Sequence, residues 1–238
     1  MMGDGAGALD GIQVLDLSMD FAGALVAMTL ADHGAEVIRI ASEGALERTF
    51  AHRGKVRISS GDDLEGLLAD LLEMADVVIE DAPLHRCRAR DLLKDPERGQ
   101  IHCWVPAFPD DHPEARVRGF EGITQAHMGI YEVPLGRKPV YHSLSILPVT
   151  AAAYASCGVV AALLANPPAL RHRLIRLVAD AEFGLALSRA QTLEIARLAT
   201  DWHGQGAVHL SGIRVEREGG RIVFRSTTPE PPADPQSD

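Results

Sequence analysis

The residues that could do metal or nucleophile chemistry are spread thinly along the chain. No two of its ten histidines lie three or four residues apart, so no helix face presents a pair of metal ligands, and there is no HExxH motif. Ser143 and Ser145 lie in the segment HSLSILP, which lacks the GxSxG turn of a serine hydrolase. The sequence therefore predicts neither a metal centre nor an activated serine.

Four ionisable residues lie close together just ahead of a long apolar segment. They are His127, Tyr131, Glu132 and His142. Groups of these types can exchange protons with a substrate if they line a pocket, and they are the candidate catalytic residues. The alternative is that they are ordinary turn and surface groups.

Basic side chains cluster after two of the predicted strands. On a chain with a net charge of −10, clusters at strand ends could hold phosphate groups, or they could be solvated loop charges that balance nearby acids. The clusters are Arg48, Arg53, Lys55 and Arg57, and Arg86, Arg88 and Arg90.

The elements that would position these residues begin with a strand–helix–strand unit at residues 11–40. A short apolar run ends at Ser18 and Asp20, which can accept hydrogen bonds from the first N–H groups of a helix. A dense apolar helix follows, Gly34 can end it, and a second apolar strand comes next. Two strands joined through one helix run parallel, which predicts an α/β fold.

The same alternation continues as far as residue 105. Further strands are predicted at 55–59, 76–80 and 101–105, and helices at 64–74 and 84–93. This pattern is typical of a Rossmann-like, doubly wound parallel sheet. The first turn, SMDFAG, has too few glycines to cradle a pyrophosphate, so we do not expect a dinucleotide site.

The second half of the chain is less regular. Helices are predicted at 120–131, 149–165 and 181–199, a strand at 173–178, and a hairpin of 208–215 with 221–225 around Glu218-Gly219-Gly220. The proline-rich acidic end is predicted to be disordered. We therefore expect an α/β domain at 8–165, a helix and β-hairpin extension at 166–226, and a disordered tail at 227–238.

Composition limits the partners and the compartment. The acidic net charge argues against nucleic acid and anionic membrane surfaces. Three unpaired cysteines, Cys87, Cys103 and Cys157, are typical of a reducing compartment. The acidic start lacks the features of a signal peptide, and we expect a cytoplasmic protein without a membrane span.

The opening segment LDGIQVLDLSMDFAGALVAMTLADHGAEVIRI, residues 9–40, resembles the start of the family III CoA-transferases. That group includes formyl-CoA transferase, carnitine CoA-transferase and α-methylacyl-CoA racemase. The resemblance continues through HRGK at 52–55, ADVVIED at 75–81, GFEGITQAHMG at 119–129 and GVVAALLA at 158–165. It is strong from about residue 8 to residue 165 and absent beyond about residue 195.

The resemblance implies a Rossmann-like domain that binds CoA thioesters and an interlocked dimer. CoA or acyl-CoA is the ligand it implies, and no other cofactor is expected. The positions it marks for binding are Asp20, Phe21, Arg39, Arg53, Lys55, Asp81 and Ala82.

The same resemblance marks the positions that carry the chemistry. The nucleophilic aspartate of the transferases corresponds to Pro148, and the histidine of the racemases corresponds to Phe120. Neither residue can attack a thioester or exchange a proton. The sequence-based hypothesis is that the chain is a degenerate, shortened family member, a pseudoenzyme. It would serve as a non-catalytic subunit or scaffold, either as a homo-oligomer or in a complex with a full-length paralogue. Two alternatives are an acyl-CoA-processing enzyme that uses other residues, and an acyl-CoA-binding module that uses Arg39, Arg53 and Lys55.

Overall fold

The computed structural model describes residues 7–41, 49–59, 64–83, 89, 99–131, 138 and 144–227. The chain forms two compact units, residues 1–170 and 171–238, which we describe separately. The predicted helix at 84–93 and the predicted tail at 227–238 lie outside the described residues, except for Ala89 and Thr227.

The N-terminal unit contains a sheet of five parallel strands. The strands are β1 (Gln13–Asp16), β2 (Glu36–Ala41), β3 (Lys55–Ser59), β4 (Val77–Glu80) and β5 (Ile101–Trp104). They lie in the order β3-β2-β1-β4-β5, so the direction in which the chain progresses across the sheet reverses between β1 and β4. The predicted α/β fold with a doubly wound parallel sheet is confirmed.

Helices cover both faces of this sheet. The helices of this unit are α1 (Phe21–Asp32), α2 (Leu64–Met74), α3 (Glu121–His127) and α4 (Ile146–Ala165), with a short 3₁₀ turn at Thr49–His52. Of these, α1, α2 and α4 share a core with strand residues. Successive strand residues point to opposite faces. Val14 accordingly packs in a core with α1 and α4, whereas Leu15 packs in a second core with α2. The sheet is therefore buried on both sides, as its continuous apolar strands predict.

The predicted end of α1 is confirmed at Gly34. This glycine has a φ of 100°, and its N–H donates to the carbonyl oxygen of Ala31 at 2.9 Å. A side chain at this position would also lie 2.2 Å from a carboxylate oxygen of Asp10. Only glycine combines this backbone conformation with so close a neighbour, and the chain can therefore turn directly into β2.

Helix α4 is apolar on all sides but only partly covered. Ala152, Val159 and Leu163 are buried in the core, whereas Tyr154 and Leu164 are 78% and 67% exposed. By length and composition alone, α4 is long and apolar enough to cross a membrane. Only 22% of its most apolar stretch is buried in the fold. Within the unit, α4 packs against α1.

The C-terminal unit combines helices with a three-stranded antiparallel sheet. Helix α5 (Pro167–Phe183) enters the unit at residue 171 and is followed by α6 (Arg189–Thr200), β6 (Val208–Leu210), β7 (Ile213–Glu218) and β8 (Arg221–Ser226). The strands lie in the order β6-β7-β8. Buried residues of α5, α6 and β7, such as Ile175, Ile195 and Val215, form its core.

The strand predicted at 173–178 is wrong, because these residues belong to α5. The buried residues His172, Ile175, Arg176 and Ala179 recur at three- and four-residue spacing, which is the period of a helix. Prolines at the start of α5 are compatible with a helix there, since the first N–H groups of a helix need no intrahelical partner.

The helix predicted at 181–199 is also corrected. Helix α5 ends at Phe183, Gly184 adopts a φ of 60°, and α6 begins only at Arg189. Ser188 starts α6 with a capping box, in which Ser188 and Gln191 each accept a hydrogen bond from the other's backbone N–H. Residues 208–215 form two strands rather than one, while the predicted hairpin at Gly219-Gly220 is confirmed.

Candidate functional site

A cavity of about 730 Å³ opens at the carboxyl ends of β1, β4 and β5. Asp20 and Phe21 follow β1, Asp81 follows β4 and Val105 follows β5, and all four line it. This is the point where the strand order reverses, and ligands of open α/β sheets bind at such points. The rest of the lining comes from residues 106–131 and the first turns of α4.

Asp81 caps helix α1 from the neighbouring strand. Its carboxylate accepts hydrogen bonds from the backbone N–H groups of Met19 at 2.7 Å, Asp20 at 3.1 Å and Gly23 at 3.0 Å. Helix α1 begins directly after Asp20, as predicted, but neither Ser18 nor Asp20 caps it with its side chain. The Ser18 hydroxyl instead donates to Asp16, and the Asp20 carboxylate bonds to Arg118.

The environment of Asp81 shifts its protonation. Burial raises the pKa of this carboxyl to about 7, with a further contribution from the nearby Asp20 carboxylate. The three backbone donors act in the opposite direction without cancelling that effect. Gly23 allows the approach, because a side chain there would lie 2.8 Å from Asp81. Asp81 also lines the cavity, so a carboxyl with a raised pKa lies on the cavity wall.

A buried ion cluster, formed by Asp16, Ser18, Arg39 and Lys55, lies beneath the β1–α1 turn. The Asp16 carboxylate accepts hydrogen bonds from Arg39 at 3.1 Å and Lys55 at 2.8 Å. Arg39 also donates to the Ser18 hydroxyl, and Lys55 to the carbonyl oxygen of Ala24. Burial acts to raise the pKa of Asp16, but the charges of Lys55 and Arg39 outweigh it, so this pKa lies below its usual value.

Arg118 is a site residue that the sequence reasoning missed. Its guanidinium donates to the Asp20 carboxylate at 2.7 Å and to the carbonyl oxygen of Met19 at 2.9 Å. It also lies over the ring of Phe120, 5.4 Å from the centroid. Asp20 and Arg118 are 98 residues apart, so the only sequence signal was an unassigned arginine before the Gly119-Phe120 pair.

Phe120 and Pro148, the positions that the resemblance marks for the family's chemistry, line the same cavity. Phe120 precedes α3 and its side chain is 55% exposed. Pro148 lies in the first turn of α4, where the missing N–H of proline costs no helical hydrogen bond. The two positions that the resemblance pairs in sequence are thus also close in space.

Glu121 and Gln125 are further residues that the sequence reasoning missed. Glu121 lines the cavity, and its Oε1 accepts hydrogen bonds from the side chain of Gln125 at 2.7 Å and from the backbone N–H of Leu147 at 3.5 Å. Gln125, on α3, is fully buried, and its side chain also donates to the carbonyl oxygen of Leu144, just before α4. A carboxylate therefore lies next to Pro148, although it comes from a different helix.

The four candidate catalytic residues are placed differently. Tyr131 lines the cavity, and its hydroxyl donates to the carbonyl oxygen of Gly122. His127 is not among the lining residues: its Nε2 contacts the Glu114 carboxylate, and its ring packs edge-on against Phe108. Glu132 and His142 lie outside the described residues.

The profile of CoA-transferase family III matches residues 9–176, well over half of the chain. The chain belongs to CoA-transferase family III. The match ends inside α5 and includes the first six residues of the C-terminal unit, so it covers the whole five-stranded sheet and every residue of the cavity.

Solved structures of the family have the same fold. A hypothetical protein of Mycobacterium tuberculosis, Rv3272, and a CaiB/BaiF family protein from Brucella suis each give a TM-score of 0.56 at 20% identity. They cover 89% and 92% of this chain, whereas this chain covers only 64% and 65% of theirs. At this identity the likeness concerns the fold alone.

A second likeness concerns the C-terminal part. The profile of the TilS substrate binding domain matches residues 159–223. Two tRNA(Ile)-lysidine synthases are similar over short stretches: that of Leifsonia xyli is 56% identical over 66 residues, and that of Streptomyces coelicolor is 45% identical over 69 residues. These stretches are 28% and 27% of this chain but only 20% and 19% of the two synthases.

In this family III chain, the positions marked for CoA fall into two groups. Asp20, Phe21 and Asp81 line the cavity. Arg39 and Lys55 belong to the buried ion cluster, Arg53 pairs with Asp32 on the surface, and the carbonyl oxygen of Ala82 accepts a hydrogen bond from Trp104. No described residue that lines the cavity is a lysine, arginine or histidine, so the CoA-binding role of these cations stays a prediction.

Proposed function

We propose that the N-terminal unit binds the acyl part of a CoA thioester without the family's transfer chemistry, as a non-catalytic subunit. The observation that carries the proposal is that Phe120 and Pro148 line one cavity at the strand ends. A pocket with apolar walls at this point of the sheet suits an acyl group. A benzyl ring and a pyrrolidine ring offer neither a nucleophile nor a proton donor.

The test separates binding from chemistry. We expect butyryl-CoA to bind in a calorimetric titration, and we expect no CoA transfer to free carboxylic acids and no acyl adduct in mass spectra of the protein. Rapid transfer, or the absence of binding across a panel of thioesters, would contradict the proposal.

A matched pair of variants sharpens this test. Pro148→Asp returns a carboxylate to the cavity at a position in the first helical turn where an acidic side chain is favourable. We expect this variant, but not Pro148→Asn, to form an adduct with butyryl-CoA that hydroxylamine removes. If neither variant forms an adduct, the assignment of position 148 to the family's nucleophile is wrong.

A partner is part of the same proposal, and helix α4 provides its motivation. Val149, Tyr154, Val160 and Leu164 are exposed large apolar residues on this one helix. Exposed apolar residues grouped in this way are typical of a protein interface. We propose that α4 is covered by a second copy or by a full-length family member. A monomer in analytical ultracentrifugation, with and without a full-length family member, would contradict this.

A second candidate function concerns the C-terminal unit, which we propose binds transfer RNA. The two similar proteins are named as synthases that act on tRNA(Ile), and the matched profile is a substrate-binding domain. The expectation of no nucleic-acid partner came from the charge of the whole chain. Between residues 171 and 227, however, nine arginines outnumber six acidic residues, so this part is basic.

Filter binding of the full chain to unmodified tRNA at several salt concentrations tests this candidate. We expect binding that weakens steeply with salt, because each neutralised phosphate releases counterions. Arg221→Ala, at the turn of the β7–β8 hairpin, should weaken binding modestly, whereas Arg116→Ala in the N-terminal unit should not. Salt-independent binding, or none, would contradict the candidate function.

A further inference from the structure

A tryptophan of the C-terminal unit is exposed on the loop that joins α6 to β6. Trp202 comes two residues after the end of α6 and is 43% exposed. An indole has a large, flat, apolar surface, and covering it with a ligand is favourable. A single exposed apolar side chain is not unusual by itself. The contacts around Trp202 are what distinguish it.

The loop that carries Trp202 is held in place by the side chain of Gln205. The amide nitrogen of Gln205 donates to the carbonyl oxygen of Asp201 at 2.9 Å, and its amide oxygen accepts from the backbone N–H of His203 at 2.8 Å. The two hydrogen bonds fix the backbone on either side of Trp202. Because the loop is ordered by the fold itself, a ligand that contacts Trp202 bears less of the entropic cost of ordering it.

The indole ring is also supported by a cation. The guanidinium of Arg217, on β7, lies over the ring with Cζ 5.5 Å from the centroid, which is a favourable cation–π geometry. Arg217 Nη1 donates at 3.1 Å to the carbonyl oxygen of Leu198, near the end of α6, so the guanidinium is itself held in position. Trp202 therefore combines a fixed orientation with accessible aromatic surface.

The charges around the ring indicate which flat ligand it suits. Asp201 precedes Trp202 and its carboxylate is mostly exposed, so a phosphate group placed directly beside the ring would meet a like charge. The excess of arginine over acidic residues between residues 171 and 227 attracts a polyanion all the same. An RNA strand meets both conditions if its backbone contacts arginines elsewhere on the unit and an unpaired base covers the indole. Unpaired bases are commonly recognised by stacking on aromatic side chains.

We propose that Trp202, supported by Arg217, is a stacking platform for an unpaired base of transfer RNA. The proposal rests on the second candidate function, the binding of transfer RNA by the C-terminal unit, and it names the part of the RNA that is recognised and the residue that recognises it. Both residues lie within the stretch 159–223 that matches the TilS substrate binding domain. The interaction is stacking alone and requires no covalent step.

Tryptophan fluorescence tests the contact directly. The chain has two tryptophans, so Trp104→Phe leaves Trp202 as the only one. We expect unmodified tRNA to quench the fluorescence of this full-length variant. A fully paired RNA duplex should quench it little, because its bases are already stacked on one another. Bound tRNA that leaves the fluorescence unchanged would overturn the proposal.

Filter binding of full-length variants to unmodified tRNA is the second measurement. Trp202→Ala should lower the affinity about tenfold, whereas Trp202→Phe keeps an aromatic ring and should lower it much less. The salt dependence of binding by Trp202→Ala should stay parallel to that of the wild type, because stacking neutralises no phosphate. The matched control Leu174→Ala removes another exposed apolar side chain of the same unit and should bind like the wild type.

The outcomes separate the stacking contact from transfer RNA binding as a whole. If the wild type binds tRNA and folded Trp202→Ala binds it equally well, the stacking contact is wrong and the candidate function stands. A smaller salt dependence of Trp202→Ala would likewise overturn stacking and indicate a phosphate contact. Urea unfolding identifies a variant that does not fold, in which case the fluorescence of Trp104→Phe decides. A wild type that binds no tRNA would overturn the candidate function and the stacking contact together.

Discussion

The buried ion cluster and the cavity wall belong to the same unit, yet their polar groups are satisfied in different ways. In the cluster, the Asp16 carboxylate accepts hydrogen bonds from a hydroxyl, a guanidinium and an ammonium group, all within the fold. On the wall, Phe120 and Pro148 are not ionisable, and Glu121 has an oxygen without a donor. The comparison indicates that the ionised groups near the start of the chain hold the fold together, whereas Phe120 and Pro148 bring no ionisable group to the cavity wall.

Breaking the buried ion cluster should have the largest effect on stability. Asp16→Asn removes the charge that compensates Arg39 and Lys55, both of which are about 1% exposed. Removing one partner of a buried ion pair leaves an uncompensated charge and costs about 3–5 kcal/mol. Urea unfolding followed by circular dichroism measures this loss.

The control for Asp16→Asn is Asp32→Asn. Asp32 pairs with Arg53 on the surface, where solvent screens the interaction, so we expect little change in the unfolding midpoint. If the two substitutions had similar effects, the distinction between a cluster that holds the fold and ordinary surface charge would be lost.

Removing the cap of α1 should have the next largest effect. Asp81→Ala leaves the N–H groups of Met19, Asp20 and Gly23 without their acceptor, at a cost of about 2–3 kcal/mol. Asp81→Asn keeps one acceptor oxygen and should cost less. Equal stability of both variants and the wild type in urea unfolding would mean that other groups cap the helix.

The raised pKa of Asp81 predicts that the stability of the fold depends on pH. Its pKa is raised from 3.8 in the unfolded chain to about 7 in the fold, so the folded state binds the proton more tightly. The associated stability is therefore fully present below pH 3.8 and is lost as the pH rises through 7, by about 1.4 kcal/mol per pH unit at most. The free-energy difference between wild type and Asp81→Asn should shrink from pH 5 to pH 8. A constant difference would show that Asp81 does not titrate in this range.

Much of the fold could be predicted because its determinants are local. The strand–helix–strand unit at residues 11–40 shows its period, its helix end at Gly34 and its parallel connection within thirty residues. The prediction failed at 173–178 because a short segment of mainly apolar residues, RLIRLV, fits a strand as well as a helix. Only the burial of Ile175 and Ala179, which is a tertiary effect, decides between the two.

The site was harder to predict because its contacts are long-range. The cap from Asp81 and the pairing of Asp20 with Arg118 join residues about sixty and one hundred positions apart. Glu121 belongs to the segment GFEGITQAHMG, which carries part of the family resemblance, but no sequence pattern indicates that it lies beside Pro148. The resemblance marked positions 120 and 148, and the packing of α3 against α4 places the Glu121 carboxylate near them.

Arg118→Ala tests whether the cavity wall depends on one contact with the β1–α1 turn. The Arg118 guanidinium donates hydrogen bonds to Asp20 and Met19 and lies over the ring of Phe120. Its loss should therefore detach residues 118–120 from the β1–α1 turn. Because Arg118 is partly exposed, we expect a stability loss of only about 1 kcal/mol. We also expect weaker binding of butyryl-CoA. Arg116→Ala is the matched control, and equal affinities for the two variants would contradict a role for Arg118 in shaping the cavity.

The smallest effect on the isolated chain, and the sharpest test of a partner, should come from Tyr154→Ser on α4. Tyr154 is 78% exposed, so its loss removes little packing and should change the unfolding free energy by no more than about 0.5 kcal/mol. If α4 is an interface, the same change should weaken assembly strongly, because buried tyrosines contribute disproportionately to binding. Sedimentation velocity of wild type and variant over a range of concentrations separates the two effects. A variant that self-associates like the wild type would leave α4 as an exposed helix and would place any interface elsewhere.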